Sequence, residues 1–223
     1  SRNDVRSYRI LSEIVPKMNW NYLLKISNNK YNSPVSICIA LSTYKISYDF
    51  LKAIKELSNK WGDKIILNFH IADSCCSSTY HSLYSHLLEI LSSKFRLYKT
   101  LPYISYLKCL EGYDMFLSPF PFGNVNTLFD CIRTGLLGPC GTGNSFSIYK
   151  DELDYEFMGI DFLSAISTEH YIEIANKLIS DLIGKSSFYF NEIKNLKSPN
   201  ELMDIIDLSN GTSNRFYNKL FKN

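Results

Sequence analysis

The sequence predicts an α/β fold, a Rossmann-like doubly wound parallel sheet followed by a helical C-terminal tail. Three observations predict it. Near-continuous apolar runs such as Val35 to Leu41 and Ile65 to Ala72 read as strands buried on both faces. Strand-type and helix-type segments alternate six times at short intervals, the pattern of repeated parallel crossovers. One junction, Asp114 to Asn126 (Asp-Met-Phe-Leu-Ser-Pro-Phe-Pro-Phe-Gly-Asn-Val-Asn), joins a short strand to a helix through a proline-stiffened loop.

The elements follow in order. Residues 1–33 form a lead-in, with short helices expected over Tyr8 to Ile14 and Trp20 to Ile26, closed by the polar run 28–33. Val35 to Leu41 is the first strand. Phe50, Leu51, Ile54 and Leu57 set a helical period within Tyr48 to Trp61. After the second strand, Ile65 to Ala72, a helix is expected over His81 to Ser93, then a third strand, Phe95 to Tyr98. Pro102 opens a helix running to about Gly112, since proline is tolerated only in a first turn. Met115 to Leu117 is the fourth strand, and Asn124 is the N-cap of a helix from Val125 to Arg133. Leu136 to Cys140 and Leu163 to Ile166 are further strands, with helices over Ser147 to Met158 and Thr168 to Leu182. Phe188 to Leu196, Pro199 to Ile206 and Ser213 to Phe221 read as the helical tail. The Rossmann-like domain is thus placed at 34–184 and the helical tail at 185–223.

Composition narrows the function. A chain of 223 residues with 45% hydrophobic and 21% charged residues can bury a substantial core. The net charge of +2, with lysines scattered over helix faces, argues against a nucleic-acid partner. Six cysteines (Cys38, Cys75, Cys76, Cys109, Cys131, Cys140) form no CxxC pair and point to a reducing, cytoplasmic setting. No apolar run approaches the roughly 20 residues that span a membrane. The start, Ser1-Arg2-Asn3-Asp4, suggests a fragment of a longer chain.

In a doubly wound sheet the ligand lies beyond the carboxyl ends of the strands. The loops there are 42–45, 73–78, 98–102, 118–126 and 141–146. The 118–126 junction offers free backbone N–H groups and a helix dipole to a phosphate. Lys45, just past the first strand, reaches the same region, although a surface lysine is an equal reading. Asn124 and Asn126 are either phosphate contacts or plain capping residues. Asp130, one turn into the helix, can accept from ribose hydroxyls. Gly141-Thr142-Gly143 is either an anion-contacting turn or a simple one. No Gly-x-Gly-x-x-Gly follows the first strand, which disfavours an oxidoreductase dinucleotide domain, and no Walker A sequence occurs. There is no Asp-x-Asp, and the four histidines (His70, His81, His86, His170) form no metal spacing or triad.

The run Asp114 to Asn126, continuing through Asp130 to Leu136-Leu-Gly-Pro-Cys-Gly-Thr-Gly143, resembles the C-terminal lobe of the bacterial cytoplasmic N-glycosyltransferases of high-molecular-weight adhesins. These belong to glycosyltransferase family 41, with the O-GlcNAc transferases. The match extends to Ser42-Thr-Tyr-Lys45, Phe69-His-Ile-Ala72, Pro102-Tyr103 and Tyr106-Leu107. The resemblance implies the C-terminal half of a GT-B enzyme, inverting, without cofactor or metal, that takes a UDP-hexose, typically UDP-glucose. It implies an adhesin-like acceptor glycosylated on Asn in Asn-x-Ser/Thr sequons, and an N-terminal acceptor lobe absent from this chain. By position, Lys45 holds the diphosphate and serves catalysis. Asn126 and its neighbours Asn124 and Thr127 meet the β-phosphate, with Gly143 nearby. Asp130 binds the ribose, and Tyr103 packs near the uracil. Two loops depart from the family pattern. Tyr98-Lys99-Thr100 stands where a His-Pro-His run is expected, and Cys75 where a glutamine is expected. These departures support an alternative, a non-catalytic GT-B-like binding or assembly module.

Overall fold

A computed structural model describes residues 19–28, 33–71, 77–91, 95–141, 143, 146–199 and 201–202. The helices expected over Tyr8 to Ile14 and Ser213 to Phe221, Cys75, Cys76, and most of Pro199 to Ile206 lie outside the described residues.

The elements are α1 (Asn21–Ser27), β1 (Val35–Leu41), α2 (Tyr48–Trp61), β2 (Ile65–Ile71), α3 (Ser77–Leu91), β3 (Phe95–Tyr98), α4 (Tyr103–Leu110), β4 (Met115–Phe116), α5 (Val125–Arg133), β5 (Cys140–Gly141), α6 (Phe146–Met158), β6 (Ser164–Ala165), α7 (Thr168–Leu182) and α8 (Phe190–Lys194). One sheet has the order β3-β2-β1-β4 and a second pairs β5 with β6, every pair parallel. Two bonds join them: Phe116 N–H to the Leu137 carbonyl at 3.0 Å and Ser118 N–H to the Pro139 carbonyl at 3.4 Å. The continuous order is therefore 3-2-1-4-5-6, that of a doubly wound dinucleotide-type sheet.

Ile37 on β1 lies opposite Leu67 on β2 and Met115 on β4, so the three central strands share one register. All three side chains are buried. Helices cover both faces because such strands leave no face for water. α2 presents Phe50, Ala53, Ile54 and Leu57, and α7 presents Tyr171, Ile174, Ala175 and Leu178, each set at helical spacing and fully buried. Ser47 caps α2 and Ser167 caps α7, each accepting from the N–H three residues on at 3.1 Å.

Several boundaries differ from expectation. β4, β5 and β6 hold only two ladder residues each, against three to five expected from their apolar runs. Pro139 has no N–H to donate, so the β4–β5 seam is made by isolated bonds rather than a regular ladder. α3 starts at Ser77, four residues before the expected His81. Pro102 caps α4 and the helix starts at Tyr103.

The lead-in and the tail meet beneath α7. The buried carboxylate of Asp181 accepts from the Tyr22 hydroxyl at 2.6 Å, from the Ser186 hydroxyl, and from the N–H groups of Phe188 and Tyr189 at 2.9 Å. Trp20 Nε1 donates to the Lys197 carbonyl at 3.0 Å. Among the described residues no helix is long and apolar enough to cross a membrane.

Candidate nucleotide-sugar site

The strand order reverses between β1 and β4, so the connections leaving their carboxyl ends diverge and open a crevice there. Its walls are the turn Thr43–Lys45 and the loop from Leu117 to Asn124. That loop is held rigidly. Phe120 is 2% exposed and packs edge-on against Phe50 at 5.5 Å and Tyr171 at 4.8 Å between ring centres. The Tyr171 hydroxyl donates to the Ser118 carbonyl at 2.8 Å, and the Ser47 hydroxyl to the Phe120 carbonyl at 2.6 Å. The Phe120–Pro121 bond is cis, and Gly123 has φ +67°, a conformation that favours glycine.

Lys45 is half-buried, and its ammonium donates to the Gly123 carbonyl at 2.8 Å. The structure thus places this cation against the turn that opens α5. An ammonium has three donors, so two remain for an anion.

Asn124 has a different task from the one its position suggested. It is 4% exposed, and its side chain makes no cap bond to α5. Its amide Nδ2 donates to the Ala40 carbonyl at 2.6 Å. The reason lies in the sheet. The carbonyls of Ser36 and Cys38 accept from Asp114 and Leu117 N–H at 2.8 and 2.9 Å, but the chain then turns away. The Asn124 amide completes that row by satisfying Ala40. Its own N–H donates to Asp151 Oδ2 at 2.7 Å. The expectation of a capping side chain is therefore corrected, and Asn124 joins β1, α5 and α6 from inside.

Asn126 is exposed in the first turn of α5, and Thr127 is half-buried one residue on. Gly143 is exposed, with φ +141°. A Cβ there would sit 2.8 Å from Pro121 Cβ, so Gly143 packs directly on the proline loop.

Beside these residues lies a cleft of about 250 Å³, lined by Ala40, His70, Thr100, Tyr103, Thr127 and Asp130 among others. Tyr103 is 44% exposed, and its hydroxyl donates to Asp130 Oδ1 at 2.5 Å. Burial pushes the Asp130 carboxyl up to about 6, against the opposing effects of that bond and of Arg133. Burial also pushes His70 down to about 4, so it is neutral at pH 7. His70 stacks on Tyr98 at 4.7 Å, and its Nε2 lies 2.6 Å from the Tyr113 hydroxyl. The Tyr106 hydroxyl, also in the cleft wall, is buried without a hydrogen-bond partner among the described residues. The departing residue Tyr98 is thus fixed against the cleft through His70.

The structure brings Lys45, Thr127, Asp130, Tyr103 and the start of α5 to one edge of the sheet, as the positional reading anticipated. It adds Asp151 on α6, which sequence reasoning missed. Asp151 is fully buried and 27 residues from Asn124, and no local pattern links the two. Among the described residues no group of three or more His, Cys, Asp or Glu side chains is placed to hold a metal ion.

No family model matches the chain. The chain is 32% identical over 146 residues to the UDP-glucose:protein N-beta-glucosyltransferases of Actinobacillus pleuropneumoniae serotype 5b (strain L20) and serotype 7 (strain AP76). Each match covers 65% of this chain and 23% of the relative, so the chain spans about a quarter of the length of the relatives it matches. Among solved structures, a mutant of the Thermobaculum terrenum O-GlcNAc transferase superposes with a TM-score of 0.57 at 13% identity, over 77% of this chain and 35% of that one. A UDP-GlcNAc 2-epimerase from Neisseria meningitidis superposes with a TM-score of 0.50 at 11% identity, over 82% and 46%. These superpositions establish the shared α/β fold, and over 65% of its length the chain is similar in sequence to bacterial UDP-glucose:protein N-beta-glucosyltransferases.

Proposed function

We propose that this chain is the UDP-hexose-binding lobe of an inverting, metal-independent protein glycosyltransferase. The donor is UDP-glucose, and the acceptor is the side-chain amide of Asn in Asn-x-Ser/Thr sequons of an adhesin-like protein, held by a second GT-B lobe. The observation that carries the reading is the bond from Lys45 to the turn that opens α5, the helix that also carries Asp130, at the switch point of a chain similar to protein N-glucosyltransferases.

The chemistry follows from charge. Breaking the sugar–phosphate bond leaves negative charge on UDP. The Lys45 ammonium and the N–H groups at the start of α5 stabilise that charge as it grows. Because the loop is already rigid, little reorganisation is needed at the moment of reaction. Asp130, oriented by Tyr103, accepts from the ribose, and the exposed Tyr103 ring lies beside the uracil. Tyr98, stacked on His70 where the family pattern has His-Pro-His, favours one competing reading, a module that keeps the fold without transferring sugar.

The test is calorimetric titration of the protein with UDP, UDP-glucose and, as control, NAD, repeated on Lys45→Ala. Binding of UDP and UDP-glucose that weakens in the variant supports the site. No UDP binding by a folded chain refutes it. UDP-glucose binding without sugar transfer by the full-length protein favours the module.

A further inference from the structure

We propose that Asp151 is a positioning residue of the diphosphate site: its carboxylate holds the Asn124 N–H and so the turn before α5, and it takes up a proton when the donor's diphosphate binds. The inference rests on the reading of this crevice as a UDP-sugar site.

The geometry is unusual for an anion site. The first free N–H before α5 is already taken by a carboxylate, Asp151 Oδ2 at 2.7 Å. Asp151 is 0% exposed, and its other oxygen, Oδ1, has no hydrogen-bond partner among the described residues. A buried carboxylate with one partner is poorly compensated, so its neutral form is favoured. Burial accordingly pushes its carboxyl up to about 6, with the Asn124 N–H, Lys45 and Lys150 opposing and Asp154 reinforcing.

The groups around it come from each packed element. The turn after β1 brings Lys45, which also holds Gly123. From β5 comes the Cys140 thiol, and from α6 itself come the Tyr155 hydroxyl, Lys150 and Asp154, the last two ion-paired at 2.7 Å. Burial holds the thiol and the phenol neutral. Lys45 is therefore the cation shared between Asp151 and an incoming diphosphate. When the diphosphate draws on Lys45 and adds negative charge, the carboxylate loses part of its compensating positive charge and protonates. Protonated Asp151 keeps an acceptor oxygen for Asn124 and gains an O–H donor. The complex then holds one more proton than the free protein, so donor affinity falls as pH rises.

The probe is UDP-glucose rather than UDP. A terminal phosphate monoester titrates near pH 6, on the order of the group tested, whereas the diphosphate diester does not. Affinity is measured by calorimetry between pH 5.5 and 8.5, in buffers of differing ionisation enthalpy, for the wild type and Asp151→Asn. Asparagine still offers an oxygen to the Asn124 N–H but cannot titrate. We expect wild-type affinity to weaken by up to about tenfold per pH unit between pH 6 and 8, with proton uptake, because one proton is linked. Asp151→Asn should lose the slope and the uptake. Binding without a slope in the wild type, or a slope that survives in Asp151→Asn, overturns the proposal and leaves the donor site standing. Absence of UDP-glucose binding at every pH overturns both. If Asp151→Asn does not fold, Asp130→Asn decides: uptake must persist there, and its disappearance assigns the proton to Asp130 and overturns the proposal.

Discussion

Replacing Lys45 by methionine tests the site most directly. The unbranched stem is kept and the ammonium removed. In the structure that ammonium is half-buried and bonded to the Gly123 carbonyl at 2.8 Å. A unit charge about 4 Å from a phosphate oxygen gains roughly 4 kcal/mol at an effective dielectric of 20. Partial exposure reduces this toward the roughly 1.5–3 kcal/mol typical of a hydrogen bond to a charged group. UDP-glucose affinity should therefore fall roughly 10- to 150-fold. Turnover of the full-length enzyme should fall by about 10²–10³, since the missing charge matters most as UDP departs. Stability should change little. One hydrogen bond of about 1 kcal/mol is lost, which shifts Tm by roughly 2–4 °C in a chain of this size. Calorimetry with UDP-glucose and a thermal melt on the same preparation check both numbers. Affinity within twofold of wild type refutes the phosphate role. A Tm loss well above 10 °C shows instead that Lys45 is chiefly a strut between the β1 turn and the α5 loop.

Three further outcomes are expected. Asp130→Asn should weaken UDP-glucose roughly 10- to 150-fold through the lost charged acceptor while leaving inorganic pyrophosphate binding unchanged; equal losses for both ligands would remove Asp130 from the ribose. Gly138→Ala should prevent stable folding, because its Cβ would lie 1.8 Å from the Phe116 carbonyl oxygen across the β4–β5 seam; a soluble variant with wild-type Tm would show that the seam can part. Asp151→Asn should raise stability at pH 7.5 but not at pH 4. With a folded value of about 6 against an ordinary 3.8, the wild type loses stability as pH rises through that window and remains penalised above it. The gain is at most about 3 kcal/mol, read as the difference in Tm between the two pH values, and equal Tm differences at both would contradict it.

Much of the frame was legible because local physics and tertiary context agree there. β1 and β3 match their expected limits, and β2 agrees over Ile65 to Ile71, as runs of strand-forming residues packed between helix layers should. α2 and α7 also match, since an apolar stripe at 3.6-residue spacing and a serine cap specify the same segment. The Pro-Phe-Pro-Phe-Gly-Asn junction announced a rigid loop before a helix, and Lys45 and Asp130 were placed near it by topology alone. The weak end of the sheet was less legible. The apolar runs around β4, β5 and β6 signal burial, but ladder length depends on whether a neighbour's N–H groups are available, and Pro139 offers none.

What the chain by itself determined was therefore the alternation of elements, the doubly wound class and the edge of the sheet at which the strand-end loops gather, because each follows from periodicity and connectivity. The tertiary structure alone decided what Asn124 does, since only the departure of the chain after Leu117 leaves the Ala40 carbonyl for its amide. It alone placed Asp151 beneath the helix N-terminus, joined Tyr103 to Asp130, and stacked Tyr98 on His70. These are contacts between residues 27 to 84 positions apart, made by side chains whose partners are chosen by packing, and such a choice leaves no periodic trace along a single strand or helix.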